Sequence, residues 1–191
     1  MSARRVLAIV GTKGPFPRLV TALAEVARAS GWDIAVQYAG GELPPPLTGW
    51  AQLPRAELMA QLAAADALVC HAGSGTLREA LAAGHRPIVV PRRMHRGEHV
   101  DDHQLDLATA LGERVVLLPD LDGATLAEAL RAAIAAARRQ PVAALPGDEL
   151  RAAVRAELAL IADTPPRART RAIYALAERL SRYIASRRAP S

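Results

Sequence analysis

A single cysteine, Cys70, stands in a chain of 191 residues, so no internal disulfide framework is available and a reducing compartment is expected. Cys70 closes an apolar run, which suits a buried structural thiol. Aromatic residues make up only 3% of the chain, too few to supply the stacking platforms on which single-stranded nucleic acid is held. A nucleic-acid partner is therefore not expected. Lysine is nearly absent: the basic residues are 23 arginines and one lysine, Lys13. No run of about 20 apolar residues survives, because Asp66, Asp120 and Asp122 interrupt the candidates. Met1 to Arg5 leads directly into an apolar stretch without a signal-peptide hydrophobic region. Together these features lead us to expect a cytoplasmic protein.

The net charge of +5 suits an anionic ligand or an acidic surface. Its excess lies largely beyond residue 140. Half of the chain is hydrophobic, enough for one core-bearing domain with an appendage.

Short β-branched runs alternate with helical periodicity. Val6–Val10, Asp33–Tyr38, a weak segment at Trp50–Leu53, Ala67–Cys70, Pro87–Val90 and Arg114–Leu118 read as strands. Helices are expected over Leu19–Ala27 with Gly31 closing the turn, from about Pro54 with proline at the first helical position, over Ser74–Ala83, from about Asp101 to Ala110 and over Thr125–Arg138. Gly40–Pro46 holds three prolines and excludes regular structure. This alternation predicts an α/β domain over residues 1–140, a Rossmann-like open parallel sheet with helices on both faces. Residues 141–191 read as a helical C-terminal extension. In its last helix, Ile173, Leu176, Leu180 and Ile184 share one face, and arginines occupy the others. That basic helix suits packing on its own domain, or contact with a partner or an anionic membrane surface.

The sharpest local pattern is His71-Ala72-Gly73-Ser74-Gly75-Thr76, where a hydrophobic strand meets two glycines and a helix starts. Glycine permits close backbone approach, and the first helical turn offers unpaired N–H groups and partial positive charge. A phosphate is the natural guest, although Ser74 as the cap of a tight turn would give the same pattern. Glu79, four residues beyond Gly75, suits the hydroxyls of a ribose at the same end. A second polar run, Gly97 to Gln104, follows the strand ending at Val90, where open α/β sheets place ligands. Its Asp102, His103 and Gln104 offer groups for sugar hydroxyls or a phosphate. His95, His99 and His103 make a zinc site conceivable, but the run lacks a clear third ligand and its flanking Gln and Asp fit sugar binding, so no metal is expected. A third loop, Gly11-Thr12-Lys13-Gly14, lacks the Walker ending, but Thr12 can face the same crevice while Lys13 or Arg18 offsets anionic charge.

The succession Val10-Gly11-Thr12, His71–Gly75 with Glu79-Ala80-Leu81, Pro87–Pro91, Glu98-His99 and Asp102-His103-Gln104 resembles the glycosyltransferase family 28 C-terminal domain. It is most similar to stand-alone subunits such as the catalytic subunit of the two-part dolichol-pathway N-acetylglucosaminyltransferase and bacterial exopolysaccharide transferase subunits. The resemblance implies the C-terminal, donor half of a GT-B fold that binds a UDP-sugar as substrate, UDP-GlcNAc or a related hexose, with no cofactor. It implies that Gly73, Ser74, Gly75 and Thr76 hold the diphosphate and that Glu79 holds the ribose. Asp102, His103 and Gln104 would reach the sugar, and Thr12 would line the cleft. His71 and His103 are the candidates for the general base. A membrane-associated partner subunit would supply the acceptor half and present a lipid-linked or polysaccharide acceptor. The other reading is a non-catalytic nucleotide-sugar-binding module that regulates or scaffolds.

Overall fold

A computed structural model describes residues 4–136 of the chain. The expected helical extension at 141–191, its basic helix and the boundary near residue 140 lie outside the described residues.

Thirteen elements alternate along the described residues. The strands are β1 (Arg5–Ile9), β2 (Asp33–Gln37), β3 (Thr48–Trp50), β4 (Ala67–Cys70), β5 (Ile88–Val89) and β6 (Val116–Leu117). The helices are α1 (Pro17–Ser30), α2 (Arg55–Ala64), α3 (Ser74–Ala82), α4 (His103–Leu111) and α5 (Gly123–Ala135), with short 3₁₀ turns at Met94–Arg96 and Gly112–Arg114.

All six strands pair in parallel, in the order β3-β2-β1-β4-β5-β6. The chain runs outward from β1 to β3 and then returns to the other side of β1 for β4. Right-handed crossovers therefore send α1 and α3 to opposite faces of the sheet. Val6, Ala8 and Val10 pack with Ile34, Val36, Val69 and the apolar sides of α1 and α5 in one cluster. Their alternate neighbours Leu7, Ile9, Leu68 and Cys70 are outside that cluster and equally buried, so both faces of the sheet are covered. The doubly covered, Rossmann-like sheet expected from the sequence is the fold that forms.

Several boundaries move, each for a local reason. The third strand lies at Thr48–Trp50, earlier than Trp50–Leu53. A Cβ on Gly49 would lie 1.9 Å from the Val36 carbonyl oxygen, so the strand can press onto β2 only at a glycine. Pro54 is the N-cap of α2 with ψ 148° instead of its first helical residue. Gly73 caps α3 and Ser74 is its first residue, with no side-chain cap bond. Helix α5 starts at Gly123, two residues early, because the Asp122 carboxylate accepts the Thr125 N–H at 2.8 Å. The last strand shrinks to two residues.

Candidate functional site

In a sheet of this order the direction of winding reverses between β1 and β4, and the loops leaving those two strands part to form a crevice. The loop Val10–Phe16 leaves β1 and His71–Gly73 leaves β4, so two of the three polar constellations of the sequence flank this switch point. The third, between Pro91 and Asp102, leaves the adjacent strand β5.

His71 joins the first two. Its ring lies against Gly11 and Gly73, where an added Cβ would come within 2.7 Å and 2.4 Å of His71 Nε2. Gly11 has a φ of 101°, which L side chains rarely adopt. The sequence suggested that these glycines admit a ligand's backbone contacts; the structure adds that Gly11 and Gly73 make room for the imidazole. His71 Nδ1 lies 3.3 Å from the Ile9 carbonyl oxygen. Since a carbonyl only accepts, Nδ1 carries the hydrogen in this contact and Nε2 is the bare nitrogen. Burial pushes the His71 pKa down to about 4, and the charges of Arg92 and His99 push the same way. The ring is neutral at pH 7, a poor match for a base working near that pH.

Helix α3 begins directly behind this ring. Ser74 and Gly75 are exposed, Gly73 and Thr76 are half-buried, and no side chain caps the first turn. Its leading N–H groups face outward at the positive end of the helix dipole, an arrangement suited to an anion. A Cβ on Gly75 would meet nothing within 4 Å, so the protein itself does not require glycine there. Glu79, one turn along, accepts from Arg55 Nε at 3.0 Å, and Arg55 is 75% exposed. An exposed pair of this kind is weak, so the carboxylate can exchange its partner for a ligand. Thr12 is exposed on the β1 loop.

The segment after β5 is held by charged side chains. Arg92 Nη1 donates to Pro15 O at 2.9 Å, and Nη2 donates to Val10 O at 3.0 Å and Gly14 O at 2.8 Å. This guanidinium thus ties the exit of β5 to the loop after β1. Glu98 accepts a bidentate pair from Arg18 at 2.7 and 2.9 Å and the Arg93 N–H at 3.0 Å. Burial pushes the Glu98 carboxyl up, but the Arg18 and Arg93 hydrogen bonds outweigh it and the net shift is downward. Asp102 accepts the Met94 N–H at 3.0 Å, the main cause of its lowered pKa. Gln104 is buried, with Oε1 accepting the Arg92 N–H at 3.0 Å. Only its amide nitrogen remains to donate toward a ligand.

His103 opens α4 with its side chain exposed. Its Nδ1 hydrogen-bonds Asp101 Oδ1, and His99 Nδ1 lies 3.1 Å from the same oxygen. A carboxylate on Nδ1 fixes the ring and leaves Nε2 as the acceptor, the arrangement of a general base steadied by an acid. The hydrogen bond to His103 is the main cause of the lowered Asp101 pKa. Among the described residues, the group able to offer metal ligands is His99, Asp101 and His103, within 4.8 Å of one another. His95, weighed with the other two histidines from the sequence, is not part of it.

The sequence reading missed Asp101, Arg92 and Gln37. Asp101 was visible only as one of two adjacent acids, and which of them meets His103 depends on where α4 starts. Gln37 is buried at the end of β2, donating to Gly11 O at 3.3 Å and accepting the Leu53 N–H at 3.2 Å. Burial of a lone glutamine in an apolar strand carried no prior signal. Cys70, expected to be buried, is buried, with its thiol pKa pushed up to about 12 by burial.

Residues 55–146 match the model of the glycosyltransferase family 28 C-terminal domain. No curated protein matches the chain. Among solved structures, the chain is similar to the glycotransferase of kitacinnamycin, with 23% identity and a TM-score of 0.51 over 70% of this chain and 35% of that one. It is also similar to MurG of Acinetobacter baumannii, with 19% identity and a TM-score of 0.51 over 69% of this chain and 41% of that one. The chain thus spans well under half the length of these structures, and at such identities the likeness is one of fold.

Proposed function

The chain carries a glycosyltransferase family 28 C-terminal domain over residues 55–146, and from that premise we propose that it is the donor-binding, catalytic subunit of a glycosyltransferase. It moves a sugar from a UDP-sugar, UDP-GlcNAc or a related UDP-hexose, to a lipid-linked or polysaccharide acceptor. The observation that carries this reading is the uncapped, glycine-bearing start of α3 beside the switch point of the sheet.

In this account the N–H groups of Ser74, Gly75 and Thr76 take the diphosphate, and Glu79, released from Arg55, takes the ribose hydroxyls. Thr12 lines the cleft, and Asp102, His103 and Gln104 meet the sugar. The acceptor oxygen attacks the anomeric carbon while its bond to the β-phosphate breaks, and UDP leaves with the electron pair. Charge gathering on the leaving diphosphate is stabilised by the helix N–H groups, which are already oriented toward it. The acceptor proton passes to Nε2 of His103, whose ring Asp101 steadies. His71, the other candidate base, shapes the crevice wall instead, since its ring is packed between two glycines and neutral. No cofactor or metal enters the step.

In this reading a membrane-associated partner subunit presents the acceptor. The expected setting is the cytoplasm, with that partner recruiting the chain to the inner face of the cell membrane. Among the described residues no helix is long and apolar enough to cross a membrane.

Calorimetry with UDP and UMP tests the donor site. UDP should bind about tenfold or more tighter than UMP, because only the second phosphate completes the helix contact. Gly75→Asp, which places a carboxylate where the phosphate sits, should abolish that preference without loss of fold. Equal affinity for UDP and UMP would sink the reading. UDP binding without transfer, even with the partner present, would leave a non-catalytic binding module.

A further inference from the structure

Beside the loop that leaves β1, on residues outside the Gly73–Glu79 and Asp102–Gln104 sets, lies a cavity of about 510 Å³. Four cationic side chains line it, Lys13, Arg18, Arg92 and Arg96, with one acid, Glu98. That acid is already committed. Both its oxygens are taken by Arg18, and one of them also accepts the Arg93 N–H. Arg92 is 7% exposed, and the three acceptors of its guanidinium are neutral carbonyls. These meet three of its five N–H donors and carry no charge to balance it. Arg92 and Arg18 also share the Phe16 ring, with their Cζ atoms 4.6 and 5.3 Å from its centre. Arg18 Nη1 is buried without a hydrogen-bond partner among the described residues. Arg96 lies 3.7 Å from the exposed Asp120.

Two guanidiniums crowded on one ring with a single carboxylate leave uncompensated positive charge in a partly desolvated place. That is costly unless an anion completes the set. The volume falls within the range of small-ligand pockets, and planar guanidinium forks favour phosphate.

We propose that this cavity is a second anion site, separate from the start of α3, that takes a phosphate or diphosphate group. The site rests on the residues just named. Only its assignment to the headgroup of a lipid-linked acceptor rests on the function proposed above. The other source of the same chemistry is a free inorganic phosphate.

The test is calorimetry on the full chain at an ionic strength of about 0.15 M, where weak surface attraction is screened. Inorganic pyrophosphate and geranyl diphosphate, a water-soluble prenyl diphosphate, are each titrated with and without saturating UDP. Pyrophosphate should bind in both conditions. Arg96→Ala should weaken it about tenfold or more, while UDP affinity changes less than about twofold. Tighter binding of the prenyl compound identifies the lipid headgroup as the source, and equal affinity identifies free phosphate. Loss of pyrophosphate binding when UDP is present, or an unchanged affinity in Arg96→Ala, overturns the second site. A chain that takes pyrophosphate but not UDP keeps this site and removes the donor assignment; the opposite result does the reverse.

Discussion

His71 shows how the surroundings of a residue bear on the role proposed for it. Its position after β4 puts it at the switch point, and there Gly11 and Gly73 enclose its ring and burial keeps it neutral. Titration then becomes a stability term. The folded pKa, about 4, lies below the ordinary 6.5, so between those values the unfolded chain binds the proton more readily. Stability from this group is complete above pH 6.5 and is lost as pH falls toward 4. His71→Asn removes that proton. In chemical denaturation, the stability gap between wild type and His71→Asn should narrow from pH 7 to pH 4.5. A gap that stays constant would show that the ring is not buried neutral. His103 differs through its exposure and through Asp101. Only the folded loop reveals that partnership, since Asp101 and Asp102 are equivalent in the sequence until α4 fixes their directions.

At the scale of elements, the strands and helices were legible because their apolar periodicities are strong. Ala67–Cys70 was placed to the residue, and α3 to within one residue. The ends that shifted were those set by contacts between elements: Gly49 against Val36, and the Asp122 cap on Thr125. The loops were legible as polar and irregular but not in what ties them. Arg92 was read only as part of a basic loop, yet its fork holds the loop after β1 through three carbonyls. A lysine there has no planar fork and cannot serve all three. Arg92→Lys should therefore cost about 2–4 kcal/mol in urea denaturation, given about 1.5–3 kcal/mol for each hydrogen bond to a charged group with partial rescue by the ammonium. A loss below about 1 kcal/mol would show that the loop holds itself.

At the scale of the whole molecule, the six parallel strands and their order place the three polar loops on neighbouring strand ends, at the edge where such sheets bind ligands. The ordered series of motifs carried the resemblance to the family in the sequence, and the family model matches residues 55–146. The acceptor, the partner and the sugar were not legible, because polar side chains such as Asp102, His103 and Gln104 suit the hydroxyls of many sugars alike. The account therefore turns on one contact, between a nucleoside diphosphate and the first turn of α3. A crystal structure of the chain with UDP tests it most directly. The account predicts the β-phosphate within about 3 Å of the Gly75 and Thr76 N–H groups, a normal hydrogen-bond length, and the ribose on Glu79. A diphosphate seated elsewhere, with the start of α3 left to solvent, would contradict it.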